Sequence, residues 1–179
     1  MNILDIIDSA IKIGLGGFIG WASSYTVSKL KYDREKEKYL LDKKLSVYES
    51  SVDELEIYLD KLSRLFSYIG GVQKSSLIES EYISLNDKQL SILRSRNAEL
   101  VESWSSRRKA LTRLKLLGAN EIEDLLYELK NIEKEFRSTV VFGEMNISKM
   151  KIDKIREDKE IVVESIRKKL AEFYGKLMT

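Results

Sequence analysis

Few side chains of this chain can do chemistry near neutral pH, because the sequence contains no histidine and no cysteine. Histidine is the commonest general base in that range, and cysteine supplies thiolate nucleophiles and metal ligands. The closest set of carboxylates is Glu121, Glu123 and Asp124, which fall in the first turn of a predicted helix and complement its dipole there. We therefore predict no catalytic residue, no metal site, no cofactor and no small-molecule substrate, and expect that the chain is not an enzyme.

A glycine-rich run near the N-terminus raises the alternative of a phosphate-binding loop. The run reads IGLGGFIGWASSYTVSKLK from residue 13. Gly14 and Gly16 fit the first pair of a dinucleotide fingerprint, but Ile19 stands at the third glycine position and no strand–helix–strand pattern follows. The lysine of a nucleotide-binding P-loop is also missing. The pattern therefore excludes both phosphate-binding motifs.

The same run predicts a membrane anchor. Sixteen consecutive uncharged residues extend from Ile13 to Ser28, between Lys12 and Lys29. A spanning helix needs about 20 residues, with about 17 as a lower limit, and a helix that starts at residue 10 reaches this length if Lys12 extends its ammonium to the interface. Several basic residues follow the run closely, beginning at Lys29 and Lys31, whereas Lys12 alone precedes it. The positive-inside rule therefore places the N-terminus outside and the rest of the chain in the cytoplasm. We predict a single-pass span over residues 10–28 in the cytoplasmic (inner) membrane.

Small residues recur at every fourth position within this segment. They are Gly16, Gly20, Ser24 and Ser28. Such a ridge lets two transmembrane backbones approach closely, as in other small-residue pairing motifs. The spacing predicts that two copies of the segment pack through this ridge in the lipid bilayer.

The rest of the chain is predicted to be helical, because the sequence has no proline and only nine glycines. Proline is the strongest helix breaker. Residues 29–40 alternate basic and acidic side chains, which is typical of a solvated helical stalk. Residues 41–179 then form a separate cytoplasmic domain. The predicted fold class is all-α, with an N-terminal transmembrane helix.

One stripe of apolar residues follows the stalk at alternating spacings of four and three. This is the repeat of a coiled coil or of a core-facing helix. It predicts a long amphipathic helix over about 41–69, which Gly70 and Gly71 end. The stripe is predicted to form either an interface between copies or a bundle core, and consists of Leu41, Leu45, Tyr48, Val52, Leu55, Leu59, Leu62, Phe66 and Ile69.

Three further amphipathic helices are predicted, over about 87–117, 121–142 and 147–177. Asn86 or Asp87 caps the first of them, and Gly118 ends it. Residues 72–86 lack periodicity and are predicted to be a loop. Four amphipathic helices bury their stripes most simply in a helical bundle. The alternative is a helical hairpin whose stripe closes only in a dimer, where Asn97 in a core position would specify pairing.

The helix over 88–115 is strongly basic and predicts a candidate patch for an anionic partner. The neighbouring helices carry acids such as Glu54 and Glu133, however, and the net charge of the chain is only +2. Nucleic-acid-binding domains are usually far more basic, so we favour pairing between helices and regard nucleic acid as the less favoured partner. The patch consists of Arg94, Arg96, Arg107, Arg108, Lys109 and Arg113.

These features together predict a single-pass, membrane-anchored helical interaction protein that belongs to a membrane-associated complex. Its partners are then the lipid bilayer and a protein, or a second copy of itself. The layout over residues 10–60 is similar to that of small bacterial membrane proteins, and a bacterial defence or phage-exclusion effector that oligomerises at the membrane is a narrower hypothesis. The alternative is a soluble oligomeric helical protein that binds a protein or nucleic acid through residues 88–115.

Overall fold

The chain folds into two compact units, Met1–Lys43 and Lys44–Thr179. The computed structural model describes residues 3–75, 81–143 and 146–178, and for residues 3–17, 19, 22 and 146 it describes the backbone alone. Most of the described residues are helical. The predicted all-α class is therefore confirmed, with one small two-stranded sheet as an addition.

The first helix, α1, spans Ile3–Ser75 and is 73 residues long. The prediction that Gly70 and Gly71 end it is wrong. Glycine inside a helix costs about 1 kcal/mol relative to alanine, and contacts with the last helix offset this cost. Arg156 lies so close to Gly70 that a Cβ there would be 2.9 Å from its Nη2 atom. The same Nη2 donates to Gln73 Oε1 at 3.2 Å, which holds the turn beyond the glycines.

The second helix, α2, spans Asp87–Glu102 and starts where the sequence predicts. Asn86 is its N-cap, because the backbone N–H of Gln89 donates to Asn86 Oδ1 at 2.9 Å. In return the Asn86 N–H donates to Gln89 Oε1 at 2.9 Å. This reciprocal capping box satisfies two backbone donors at the start of the helix.

The third helix, α3, spans Trp104–Leu116, so the single helix predicted over 87–117 is divided in two. Ser103 separates the halves and is buried, and its hydroxyl donates to the Leu100 carbonyl at 2.7 Å. A serine hydroxyl that bonds to the preceding turn competes with the helical pattern and often bends a helix. Gly118 follows α3 with a φ of 87°. This left-handed conformation favours glycine, and the predicted helix end at this residue is confirmed.

Two more helices complete the second unit. The fourth, α4, spans Asn120–Phe136 and continues into a π-helical segment, Arg137–Val141. The Phe142 N–H closes that segment on the Arg137 carbonyl at 3.0 Å. The last helix, α5, spans Lys149–Met178 and packs against α4.

A short antiparallel sheet joins part of the predicted loop over 72–86 to residues that include the predicted start of the last helix, so that α5 begins two residues later than the predicted residue 147. Its strands are β1, Tyr82–Ser84, and β2, Asn146–Ser148, with Ile83 opposite Ile147. Both isoleucines are buried. Three-residue strands are too short to show an alternating pattern, which is why the sequence did not predict this pairing.

The apolar stripe of α1 supplies much of the core of the second unit. Phe66 stacks on Phe136 of α4 with ring centroids 3.8 Å apart, and the Tyr48 hydroxyl donates to the Leu170 carbonyl of α5 at 2.9 Å. Leu41 and Leu45 are only half-buried, and Val52 packs against the edge of the core. The fully buried members of the stripe are Tyr48, Leu55, Leu59, Leu62, Phe66 and Ile69.

Candidate functional site

The most polar buried site in the second unit is centred on Glu133 of α4, whose side chain is only 4% exposed. Three donors from α1 and α3 contact its carboxylate. The Tyr58 hydroxyl lies at 2.8 Å, the Trp104 indole N–H at 2.9 Å and Arg107 Nη1 at 2.9 Å. The Glu133 cluster is defined as Tyr58, Asn97, Trp104, Arg107, Glu133 and Arg137.

Arg137, the first residue of the π-helical segment, brings a second guanidinium into the cluster. Its Nη1 lies 3.8 Å from Glu133 Oε1, and its Nε donates to Asn97 Oδ1 at 2.7 Å. Its guanidinium lies between two rings, 4.8 Å from the centroid of Trp104 and 5.4 Å from that of Phe142. The core-register Asn97 thus accepts a hydrogen bond within the chain.

Burial decides the protonation of Tyr58 in this cluster. It raises the pKa of the phenol well above its ordinary value of 10, and the negative charge of Glu133 raises that pKa further. Tyr58 therefore remains a neutral donor. With three hydrogen bonds the carboxylate is largely saturated, so the arrangement holds α1, α3 and α4 together instead of presenting a group for bond making.

Among the residues that the structure describes, no group of three acids is placed to hold a metal ion. In the same part of the chain, every buried side-chain nitrogen or oxygen has a hydrogen-bond partner. The described residues thus include no orphaned buried polar atom.

Several cations of the predicted anionic-partner patch contact groups of the protein. Besides Arg107, Arg113 Nη1 donates to Ser50 Oγ at 2.6 Å, and Lys109 Nζ lies 3.4 Å from Glu54 Oε1. A hydrogen bond from Ser106 and the charge of Lys109 hold the pKa of Glu54 below its usual value. The pairs Arg107–Glu133 and Lys109–Glu54 are examples of the charge pairing that was predicted between neighbouring helices.

The other three cations of the patch do not converge on one site. Arg96 donates to the Arg64 carbonyl at 3.2 Å and lies over the Tyr68 ring. Arg94 and Arg108 are exposed. Arg108 borders an open groove of about 400 Å³ that Ser105, Lys109, Thr112 and Arg113 also line. This groove is a basic surface that is open to an anionic partner.

Exposed aromatic rings are the main feature of the described side chains in the first unit. Phe18, Trp21 and Tyr25 are 65%, 64% and 60% exposed. Because they are three and four residues apart, they lie on one face of α1. The ring centroids are 6.2 Å apart for the first pair and 5.9 Å apart for the second. The three rings thus form one continuous aromatic surface.

The predicted small-residue ridge is open where it is described. Gly20, Ser24 and Ser28 are exposed, and a Cβ added at Gly20 would meet no atom within 4 Å. The surroundings of Gly16 lie outside the described residues. Pairing through this ridge stays a prediction.

Within the part of the chain that the structure describes, no helix carries a stretch both long enough and apolar enough to cross a membrane.

Comparison with known proteins adds no family to these observations. No protein-family model, no curated protein and no solved structure matches the chain.

Sequence reasoning missed the Glu133 cluster, although one signal for it exists. Glu133 was predicted only as one of the acids that pair with the basic neighbouring helix. It follows Leu129 by four residues and precedes Phe136 by three, and both neighbours are buried. A glutamate in an apolar stripe indicates a buried carboxylate, which requires partners for its charge. Its donors lie on three separate elements, so the sequence alone does not show which residues they are.

Proposed function

We propose that this protein is a helical interaction protein attached to a membrane. The N-terminal part of α1 holds the chain to the lipid bilayer, and the bundle of residues 44–179 contacts a protein partner in a membrane-associated complex. The observation that carries the proposal is the exposed aromatic surface of Phe18, Trp21 and Tyr25, which lies within the uncharged run of residues 13–28.

The physical argument is the cost of leaving these rings in water. Burying apolar surface contributes about 25 cal/mol per Å², and a fully buried aromatic side chain removes roughly 150–250 Å² from solvent. Three rings that are each about two-thirds exposed therefore offer several kcal/mol to any apolar surroundings. Tryptophan and tyrosine also favour the membrane–water interface, which makes a bilayer the best match for this surface.

The finer form of the proposal is a single-pass insertion with the N-terminus outside. It is supported by the uncharged run and by the basic residues that follow it, beginning at Lys29 and Lys31. Labelling of single cysteines introduced at Asn2 and at Thr179 tests it in intact cells. Protection of the C-terminal cysteine alone supports this orientation, and equal labelling at both ends contradicts it.

Co-flotation of the full-length chain with phospholipid vesicles tests the attachment itself. Phe18→Asp is expected to reduce the floating fraction several-fold, because it places a charge in the aromatic surface. Phe142→Asp is the matched control, since Phe142 is 69% exposed in the other unit and should float like the wild type. If both variants float equally well, the aromatic surface does not hold the membrane.

A second candidate function is anion binding by a soluble oligomer, and the open groove beside Arg108 favours it. The ion pairs of Arg107 with Glu133 and of Lys109 with Glu54 weigh against it, because they reduce the charge left for a partner. Retention of the chain on a nucleic-acid column, lost in the Arg94→Ala, Arg108→Ala double variant, would favour this second function. If the chain is not retained on the column at low salt, anion binding is excluded as its function.

A narrower form of the main proposal is a bacterial defence effector that damages the membrane when it oligomerises. Its motivation is the hydroxyl-rich second half of the uncharged run, including Ser23, Ser24 and Thr26. Induced clustering of the protein in bacterial cells is expected to collapse the membrane potential. Intact potential and viability under clustering contradict this form and leave membrane attachment unaffected.

A further inference from the structure

A stripe of exposed aromatic residues runs along the first unit and extends beyond the aromatic surface of Phe18, Trp21 and Tyr25. Phe18, Tyr25, Tyr32 and Tyr39 stand at every seventh residue, and they are 65%, 60%, 66% and 67% exposed. Seven residues fall only about 20° short of two full helical turns, so the four rings stay on one face of α1. Trp21 adds a fifth ring to the same face. We call these five residues the aromatic stripe.

Charged rows of opposite sign flank this stripe. Lys29, Lys36 and Lys43 each follow a stripe tyrosine by four residues, which places them on one side of it. Glu35 and Asp42 follow a stripe tyrosine by three residues, which places them on the other side. All five charged residues are exposed, and the Glu35 side chain, 68% exposed, has its Oε1 atom 3.9 Å from Lys31 Nζ of the same helix.

We infer that the aromatic stripe is a pairing surface for a second copy of this chain, in parallel orientation. When two identical helices pair in parallel, the i+4 side of one faces the i+3 side of the other. The lysine row then meets the acidic row of the partner copy, for example Lys36 against Glu35 in both directions. An antiparallel pair would bring lysine against lysine, and like charges at such flanking positions are unfavourable.

The period of the stripe is compatible with a helical partner. Over the three repeats from Phe18 to Tyr39 the rings drift by only about 60° around α1, so they stay in contact with a second helix along this length. The inference rests on the proposed function in that it names the partner with which the protein oligomerises.

Oxidative cross-linking of the full-length chain tests the pairing, and the absence of native cysteine makes single-cysteine variants clean reporters. Tyr32→Cys lies on the stripe itself, which meets the same residue of the second copy in a parallel pair, whereas Leu30→Cys lies on nearly the opposite face of the helix. Tyr32 and Leu30 are 66% and 54% exposed, so the two variants are matched. We expect at least a fivefold larger disulfide-linked fraction for Tyr32→Cys. Equal cross-linking at both positions overturns the proposal.

Charge reversal tests the orientation in the Tyr32→Cys background. Lys36→Glu and Glu35→Lys are each expected to reduce the cross-linked fraction, because each puts like charges face to face in a parallel pair. The double variant exchanges the two charges and should restore cross-linking. An increase in the cross-linked fraction for Lys36→Glu alone indicates an antiparallel pair and overturns the parallel arrangement. A double variant that cross-links as weakly as the single variants also overturns it.

Vesicle flotation of the same samples separates this inference from the proposed function. Lost cross-linking with normal flotation means that the chain attaches to membranes without pairing through the stripe, which refutes the inference alone. Normal cross-linking without flotation refutes the attachment and leaves the pairing intact.

Discussion

The buried carboxylate of Glu133 is the residue on which the polar contacts of the bundle converge. It holds the guanidiniums of Arg107 and Arg137 and accepts from Tyr58 and Trp104. Removing one partner of a buried ion pair usually costs about 3–5 kcal/mol, because the remaining charge stays buried without compensation. The contribution of this cluster to the stability of the fold therefore depends on Glu133 more than on any one of its donors.

Glu133→Gln is expected to lower the free energy of unfolding by about 3 kcal/mol, because it leaves two guanidiniums without their counter-charge. Urea unfolding followed by circular dichroism measures this loss. Glu135→Gln is the matched control on the same helix, since the Glu135 side chain is 55% exposed and 3.9 Å from Lys151. It should change stability by less than about 0.5 kcal/mol. Equal unfolding midpoints for both variants would refute the structural role of the cluster.

The pair between Lys61 of α1 and Glu99 of α2 predicts a loss of stability in acid. Its Nζ–Oε2 distance is 2.8 Å, and the hydrogen bond and charge of Lys61 hold the pKa of Glu99 below the ordinary 4.5. A pKa that is lower in the folded state stabilises the protein above the unfolded value, and this contribution is lost as the pH falls through the folded value. The pair should therefore stabilise the fold at neutral pH and lose this effect below pH 4.5.

Unfolding curves at pH values from about 6 to about 3 measure this effect. Lys61→Met should show a shallower decline than the wild type over that range, because its Glu99 titrates closer to the unfolded value. Lys74→Met, at an exposed lysine in the last turn of α1, should decline like the wild type. A Lys61→Met curve parallel to the wild-type curve contradicts the assignment.

Gly118 and the pair Gly70–Gly71 show where a glycine in the sequence predicts the end of a helix and where it does not. Gly118 ends α3 as predicted, because its positive φ suits glycine. Gly70 and Gly71 form an equally strong local stop signal, yet α1 continues through them because Arg156 and Gln73 make contacts there. Local patterns therefore predict helix ends only where tertiary contacts do not oppose them.

Alanine substitutions at Gly118 and Gly71 are expected to have effects of opposite sign. Gly118→Ala should destabilise the fold by about 1–2 kcal/mol, because a Cβ is strained in the left-handed region. Gly71→Ala should stabilise it by about 0.5–1 kcal/mol, since the site is helical, has a free space around a Cβ, and alanine loses less backbone entropy. Thermal unfolding measures both. Changes of the same sign would contradict the assigned backbone conformations.

At the scale of the whole molecule, periodicity was the most informative property of the sequence. The spacing of four and three located six buried residues of the α1 stripe, and the Asn86 cap and the all-α class followed from composition and local pattern. The sheet between β1 and β2 and the Glu133 cluster were not predicted, because each is assembled from segments distant in sequence. Partners of buried polar groups are set by packing, which a single sequence does not display.

Membrane attachment through the first unit is the central claim, and carbonate extraction of membranes from cells that express the full-length chain tests it most directly. The wild-type chain and Phe142→Asp are predicted to remain in the membrane pellet. The Phe18→Asp, Trp21→Asp double variant is predicted to move into the supernatant, because it places two charges in the exposed aromatic surface. Complete release of the wild-type chain by carbonate would contradict the account.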